Sequence, residues 1–565
     1  MKSPASLAFC IAAGLSGLPL AALAQTPPQA GDLLRELDRQ PQRDAPATLP
    51  PPVAPAGPAA PAAGPRVDVT AFRIEGATLV PEAELQDAVA PWAGKPASFA
   101  DLRRAADAIA ARYQARGLLA RTLLPEQDLA GGVVVVRVIE ARLGAVRIDR
   151  PDGATRMSDD TATGYLTARQ SVGDPVRPDD LQRGISLLND LPGTSATSLL
   201  EPGAAEGESR VVVALRDKPV FTGLASVDNA GAKASGTARG SVGLQVNSPF
   251  GLGEQLQLLG NKSSGTDYGR VQLGMPLGKD GLRASVNASR LNYGYTLSGN
   301  RYTGSASVLG ASLGYPLLRS AGSNLTLQLD HDRKRFDNEV QAIAISNKDV
   351  RLTTLALYGD RLDEFMGGGM TQFSVSIASG TLDLGRNPGD LAADQFPGGP
   401  DRNGSFTRTN WSLTRLQRLT AADTLALIAS GQIASRNLDA SERLTVTGPY
   451  AVRAYTSSEP AADDGTLASI ELRHQFADQL TATVFHDRAQ ARRDHEVNSA
   501  TARPNAYRLA ATGLGLALGK PGDLLLRATV AWRNGDNPTR NPATGLDADG
   551  TRRNPRLFLT LTKNF

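Results

Sequence analysis

The sequence predicts an all-β transmembrane barrel of sixteen antiparallel strands, preceded by two small α+β domains. Three observations carry this. From residue 219 to residue 565 apolar and polar residues alternate with a period of two, and between residues 66 and 218 a mixed α and β pattern occurs twice. Beyond the first two dozen residues, no run of about 18 apolar residues is available for a spanning helix. Only a closed barrel then satisfies its own backbone inside a bilayer.

Residues 1–24 read as a signal peptide. Lys2 precedes an apolar stretch over residues 7–20, and Ala22-Leu23-Ala24 has the small-x-small form of a cleavage site. The apolar stretch continues well past Cys10, which argues against lipidation. Cys10 is the only cysteine, so the mature chain has no disulfide, thiolate ligand or cysteine nucleophile.

Residues 25–40 contain a short amphipathic helix with Leu33, Leu34 and Leu37 on one face. Residues 41–65 hold nine prolines among alanine and glycine and read as an extended tether. At about 3.1 Å per residue it reaches roughly 80 Å.

The first α+β module occupies residues 66–143. A strand is expected over residues 67–74 and a helix over residues 99–116, with Ser98 and Asp101 as a capping box, Leu102, Ala106, Ile109 and Tyr113 as its apolar stripe, and Gly117 ending it. Strands at 118–124 and 133–139 close the unit. The second module, residues 144–218, repeats the order with a strand at 144–148, a helix over 178–191, and strands at 195–200 and 210–215.

The barrel occupies residues 219–565. Residues 282–289 and 325–330 alternate without a fault, as do the stretches around Phe373, Val375 and Ile377. Its 347 residues give sixteen strands about 22 residues each including connections, against the 9 to 11 a spanning strand needs. Leu557, Leu559, Leu561 and the terminal Phe565 share one face, and a terminal aromatic strand resembles the assembly signal of outer-membrane barrels.

The search for chemistry gives no enzyme, no cofactor and no metal site. Gly310-Ala311-Ser312-Leu313-Gly314 matches a nucleophile elbow but lies in an alternating strand. Gly278-Lys279 and Gly519-Lys520 lack the following Ser or Thr of a phosphate loop. Asp547-Ala548-Asp549-Gly550 hints at calcium, but Phe558 stands where the closing glutamate is needed, and a solvated loop is expected. The charge-rich segment 330–338 reads as a solvated loop base. His331, His474, His486 and His495 show no ligand spacing and read as wall or rim residues. A net charge of +3 argues against nucleic acid.

The order of leader, short helix, proline tether, two αβ modules and barrel resembles the TpsB-type transporters of two-partner secretion, the ShlB/FhaC/HecB family of the Omp85 superfamily. The modules resemble POTRA domains: Phe72-Arg73-Ile74-Glu75-Gly76-Ala77-Thr78 in the first, and Leu188-Asn189-Asp190-Leu191-Pro192-Gly193 with Leu200-Glu201-Pro202-Gly203 in the second. Val227-Asp228-Asn229-Ala230-Gly231 and residues 247–254 resemble the family's barrel start. Gly448-Pro449-Tyr450-Ala451-Val452-Arg453-Ala454-Tyr455 is similar to the loop motif that folds back into the lumen, although Ala454 stands where the family has glycine. Phe485-His486-Asp487 is similar to its partner motif, with Ala489 replacing a second glycine.

The resemblance implies that Gly448, Tyr450, Val452, Arg453 and Tyr455 form a lumen loop anchored at Phe485 and Asp487. Arg453 offers a bidentate donor to the Asp487 carboxylate. It implies a plug helix at Leu33, Leu34 and Leu37, and assembly through Phe565 by the barrel-assembly machinery. The expected setting is the outer membrane of a Gram-negative bacterium, with both modules in the periplasm and the barrel working as a monomer among outer-membrane lipid. The expected partner is a large secreted exoprotein of the TpsA type, taken up unfolded by strand addition. The alternative, an Omp85-type assembly factor, usually carries three or more POTRA modules; only two fit here. A porin needs no periplasmic modules, and a plugged receptor needs a larger plug.

Overall fold

The computed structural model describes residues 27–38, 66–129, 131–499, 501–502 and 504–565. The expected signal peptide and the proline tether lie outside the described residues. Among the described residues no helix is long and apolar enough to cross a membrane.

Helix α1 (Ala30–Asp38) stands inside the barrel. The first module contains β1 (Arg66–Val69), β2 (Ala71–Glu75), α2 (Glu82–Val89), β3 (Lys95–Ser98), α3 (Phe99–Ala115), β4 (Ala120–Leu123) and β5 (Val133–Glu140). The expected single strand over 67–74 is broken in two. Thr70 N and Ala71 N both donate to the Gly132 carbonyl, so β1 turns away to pair with β3 while β2 runs parallel to β5. The capping box forms at α3: Asp101 N donates to Ser98 Oγ at 3.3 Å and Ser98 N to Asp101 Oδ2 at 2.9 Å. Helix α2, absent from the expected elements, is a short helix packed against α3 through buried Leu85 and Val89.

The second module contains β6 (Arg142–Asp149), α4 (Asp159–Thr167), α5 (Pro178–Asn189), β7 (Thr194–Pro202) and β8 (Glu208–Asp217). Its sheet runs β6-β8-β7, with β6 and β8 parallel and β7 an edge strand.

Sixteen antiparallel strands, from β9 (Phe221–Asp228) to β24 (Arg556–Asn564), close into one barrel. The period of two does the sorting expected of such a wall: on adjoining strands Leu313, Leu329, Leu355 and Ile377 face outward and are exposed, while Gln272, Asn287, Gln328 and Asp330 line the interior. The closing seam pairs Thr560 to Asn564 with Asp228 to Leu224. Phe565 extends it by exchanging both backbone bonds with Gly223, at 2.8 and 3.0 Å, and Asn229 extends the other end by bonding Leu557 O and Leu559 N. Of the barrel-start residues, Val227, Asp228 and Asn229 therefore serve closure.

The second module is fixed to one rim. Arg156 donates to the carbonyls of Asn247, Ser248 and Lys218 at 2.8 to 2.9 Å and pairs with Asp217 at 3.0 Å. Asp280, in the turn after β12 (Thr266–Pro276), accepts from Arg169 at 2.8 Å and Arg183 at 3.2 Å, and Asp190 pairs with Arg319 at 2.7 Å. These turns define the module end of the barrel.

Segment 330–338 is not a solvated loop base. It belongs to β15 (Ser323–Val340), with Phe336 and Asn338 fully buried under α1, because strand residues of even number there face the occupied lumen.

Candidate functional site

The loop of residues 435–463 joins β19 (Asp423–Ala434) to β20 (Asp464–Ala477) and folds into the lumen. Its tip turns at Gly448, whose φ of +98° is in the left-handed region that favours glycine. Val452 N bonds back to Val446 O at 3.1 Å, and Ala451, Val452, Ala454 and Tyr455 are buried against the barrel wall.

Arg453 reaches from this tip to β21 (Leu480–Arg492). Period two places Phe485 and Asp487 inward and Val484 and His486 outward, and both inward residues are buried. Arg453 Nε donates to Asp487 Oδ2 at 2.8 Å and Nη2 to Oδ1 at 2.7 Å, while the Arg453 backbone N–H adds a third bond at 3.1 Å. The guanidinium carbon lies 3.3 Å from the Phe485 ring centre. Nη1 pairs with Glu471 at 2.9 Å, and Ser469 Oγ, which donates to Asp487 at 2.7 Å, also accepts from Nη2. One cation thus meets two buried carboxylates and a ring face, which offsets the cost of its desolvation. Sequence reasoning missed Ser469 and Glu471. Their signal was polar residues on the inward parity of β20 between outward Ala468, Ile470 and Leu472.

Gly513, on β22 (Ala506–Gly519), was also missed. A Cβ there would lie 2.2 Å from the Phe485 ring, so the bare backbone makes the ring's seat. Ala454 occupies the expected glycine position without strain; its carbonyl accepts from Arg533 Nε at 3.2 Å. Ala489 is buried in the same cluster.

A second knot holds the loop from the other side. Arg533, its guanidinium carbon 5.2 Å from the centre of the Tyr455 ring, pairs with Asp547. Glu459 of the lumen loop accepts from Asn537 at 2.8 Å and Thr539 at 2.6 Å. Asp547 is therefore no solvated loop residue: it is fully buried, and Arg533, Arg540 and Arg556 converge on it, so the apparent calcium ligands already serve guanidinium groups. Three histidines stand on the wall, His331 and His486 facing outward beside Thr353 and Thr512 and His474 pairing with Asp423, while His495, in the loop after β21, pairs with Asp464.

Helix α1 packs between the barrel wall and this loop. Leu33, Leu34 and Leu37 are buried with Leu291, Tyr293 and Phe336. Glu36 pairs with Arg239 at 2.9 Å, Arg239 pairs in turn with Asp228 at 2.8 Å, and Arg35 donates to the Ala440 carbonyl. Gly31 passes close to Ser441, where a Cβ would meet Ser441 N at 3.1 Å. Tyr450 lines a cavity between the loop tip and α1, together with Leu33 and Glu36. Lys334 and Lys348 tie the loop base to the wall through Glu442 at 2.8 Å and Asp439 at 2.5 Å.

The family model for haemolysin secretion/activation protein ShlB/FhaC/HecB matches residues 207–518, and the ShlB-type POTRA domain matches residues 67–141. The heme/hemopexin transporter protein HuxB of Haemophilus influenzae strain 86-028NP is 25% identical over 461 residues, covering 79% of this chain and 80% of its own length. The outer membrane transporter CdiB of Escherichia coli strain 536 is 27% identical over 480 residues, 79% of this chain and 75% of its own. Among solved structures, CdiB from Escherichia coli shares the fold at a TM-score of 0.70 and 19% identity, covering 96% of this chain and 100% of that one. The chain belongs to the ShlB/FhaC/HecB family and is an outer-membrane transporter of two-partner secretion for exoproteins, its POTRA modules lying in the periplasm.

Proposed function

We propose that the exoprotein is captured as an added strand on β7 of the second POTRA module before it enters the barrel. The supporting observation is the state of that edge. Gly203 N bonds to Glu208 O and Lys218 N to Gly193 O, which assigns the odd-numbered residues of β7 to the ladder with β8. Even-numbered residues therefore turn their backbone groups outward. Asn189 takes both groups of Ala196, at 2.7 and 3.0 Å, but those of Ser198 and Leu200 find no partner among the described residues. Leu199 and Leu200 beside them are 63% and 41% exposed. An open rung flanked by apolar side chains suits an unfolded chain, because main-chain bonds place little demand on its sequence.

In this reading α1 is a plug that leaves when substrate arrives, and the loop anchored by Arg453 and Asp487 shapes the passage that opens. Gly448, Tyr450, Val452 and Tyr455 form the tip, and Phe485 supplies its stacking seat. Phe565 serves recognition by the barrel-assembly machinery, and the barrel works as a monomer in outer-membrane lipid.

The test replaces Ser198 and Leu200 by proline, which removes only outward donors, with Leu199→Pro as the variant that also breaks the β8 ladder. Secretion of the cognate exoprotein is expected to fall sharply in Ser198→Pro/Leu200→Pro while the barrel still folds. Normal secretion by that variant would reject capture at β7.

A further inference from the structure

The outer wall of the barrel carries a charge arrangement that neither the lumen nor the modules use. On β15 the outward series, read away from the module end, is Leu327, Leu329, His331, Arg333, Arg335. On β16 (Ile343–Asp363), read the same way, it is Leu357, Leu355, Thr353, Arg351. On β13 (Arg283–Leu297) it is Val286, Ala288, Arg290. The register joins these ends. Arg333 is the direct cross-strand partner of Arg351, and Arg335 opposes Ser307, which opposes Arg290.

Like charges directly opposite on a sheet destabilise it, and arginine on a lipid-facing wall is tolerated only towards the interface. The neighbouring carboxylates do not balance this group. Asp349 is shared by Arg335 at 3.1 Å, Arg333 at 3.7 Å and Arg386 at 3.4 Å, and Asp337 is engaged by Arg386 at 2.8 Å. Among the described residues the Arg290 side chain finds only Asn292 and Ser307, at 3.2 and 3.4 Å. The Arg351 side chain makes no hydrogen bond or ion pair among the described residues.

We propose that Arg290, Arg333 and Arg351 bind the phosphate groups of the anionic glycolipid of the outer leaflet. The periplasmic modules mark the opposite rim, so these residues lie on the half of the wall nearer the cell surface. Phosphate accepts two parallel N–H bonds from a planar guanidinium, which explains arginine rather than lysine at the three positions. Exposed Leu309 stands directly opposite Arg333, and exposed Leu313, Leu329 and Leu355, four residues nearer the module end, receive the acyl chains. The bound anion removes the repulsion between Arg333 and Arg351.

Native mass spectrometry of the full chain in detergent tests this, with bisphosphorylated lipid A and its dephosphorylated form as probes. The wild-type chain is expected to hold the phosphorylated probe about tenfold more tightly. Arg290→Gln/Arg333→Gln/Arg351→Gln loses that preference, and Arg361→Gln, near the module end of β16, keeps it. Equal binding of both probes by the wild-type chain overturns the proposal, as does a preserved preference in the triple variant or its loss in Arg361→Gln. Arg351→Gln alone removes a side chain with no partner and cannot disturb folding through a lost contact. A preference unchanged in that variant counts equally against the site.

Discussion

The Arg453 guanidinium carbon sits over the Phe485 ring, 3.3 Å from its centre, while the group grips Asp487, two residues along the same strand, with two nitrogens. The ring seats the group and the carboxylate fixes its direction, so one side chain sets where the loop tip sits. Arg453→Ala leaves Asp487 buried without its main cation, a loss of about 3–5 kcal/mol. Arg453→Lys keeps a charge but neither the fork nor the flat face, and recovers only part of it. Arg453→Met/Asp487→Leu should be more stable than Arg453→Ala in urea unfolding of the detergent-solubilised chain. A double variant as unstable as the sum of the single ones would show that the two side chains are not coupled.

The Phe485 ring depends in turn on Gly513. An added Cβ would meet the ring at 2.2 Å and Val530 O at 2.4 Å, and the backbone contact leaves no easy escape. Gly513→Ala is expected to cost about 1–3 kcal/mol and to lower the temperature at which the folded band converts on a semi-native gel. Gly515→Ala is the control. Its nearest new neighbour is Thr483 Cβ at 3.4 Å, and the conversion temperature should stay put.

Acid should loosen the first POTRA module through Glu140. Burial alone would raise its carboxyl, but hydrogen bonds from Thr78 Oγ1 and from the Thr78 and Leu79 backbone N–H groups, with a further one from Tyr113, hold it below its ordinary value of 4.5. A depressed carboxylate stabilises the fold fully above its unfolded pKa, and that contribution is lost as pH falls through the folded value. Calorimetry of the full chain should therefore show the periplasmic transition moving to lower temperature below about pH 4.5. Glu140→Gln should start lower at pH 7 and move less. Identical pH profiles for the two chains would remove Glu140 from the explanation.

Period two made half of the anchor legible, because residues two apart must share a face; Phe485 and Asp487 follow from their own strand. Ser469 and Glu471 arrive from β20, and the register that sets Ser469 opposite Asp487 and Glu471 opposite Phe485 is fixed by the closed barrel rather than by either strand. Asp547 misled for a related reason. An Asp-x-Asp-Gly run reads as calcium or solvent until folding brings Arg533, Arg540 and Arg556 to it. The break at Thr70 was equally hidden, since its cause is the carbonyl of Gly132, 62 residues away. Segment 330–338 was misjudged because its charges suggested water, whereas the even-numbered ones face a lumen filled by α1 and the loop.

Conductance should report the hold of Glu36 on Arg239. The pair is 2.9 Å apart, Arg239 is buried, and its other partner is Asp228 of the closing strand, so the helix is tied by charge to the wall as well as by its leucines. Glu36→Arg brings two guanidinium groups into one buried site, where repulsion and desolvation act together. Leu33, Leu34 and Leu37 each favour burial by about 1.5–3 kcal/mol, and a helix driven from the lumen exposes all three. Single-channel recording should therefore show Glu36→Arg opening more often than the wild-type chain, with an open level equal to that after deletion of residues 25–40. Glu36→Gln, which loses attraction without adding repulsion, should fall between. A deletion variant with unchanged conductance would mean that α1 does not block the pore.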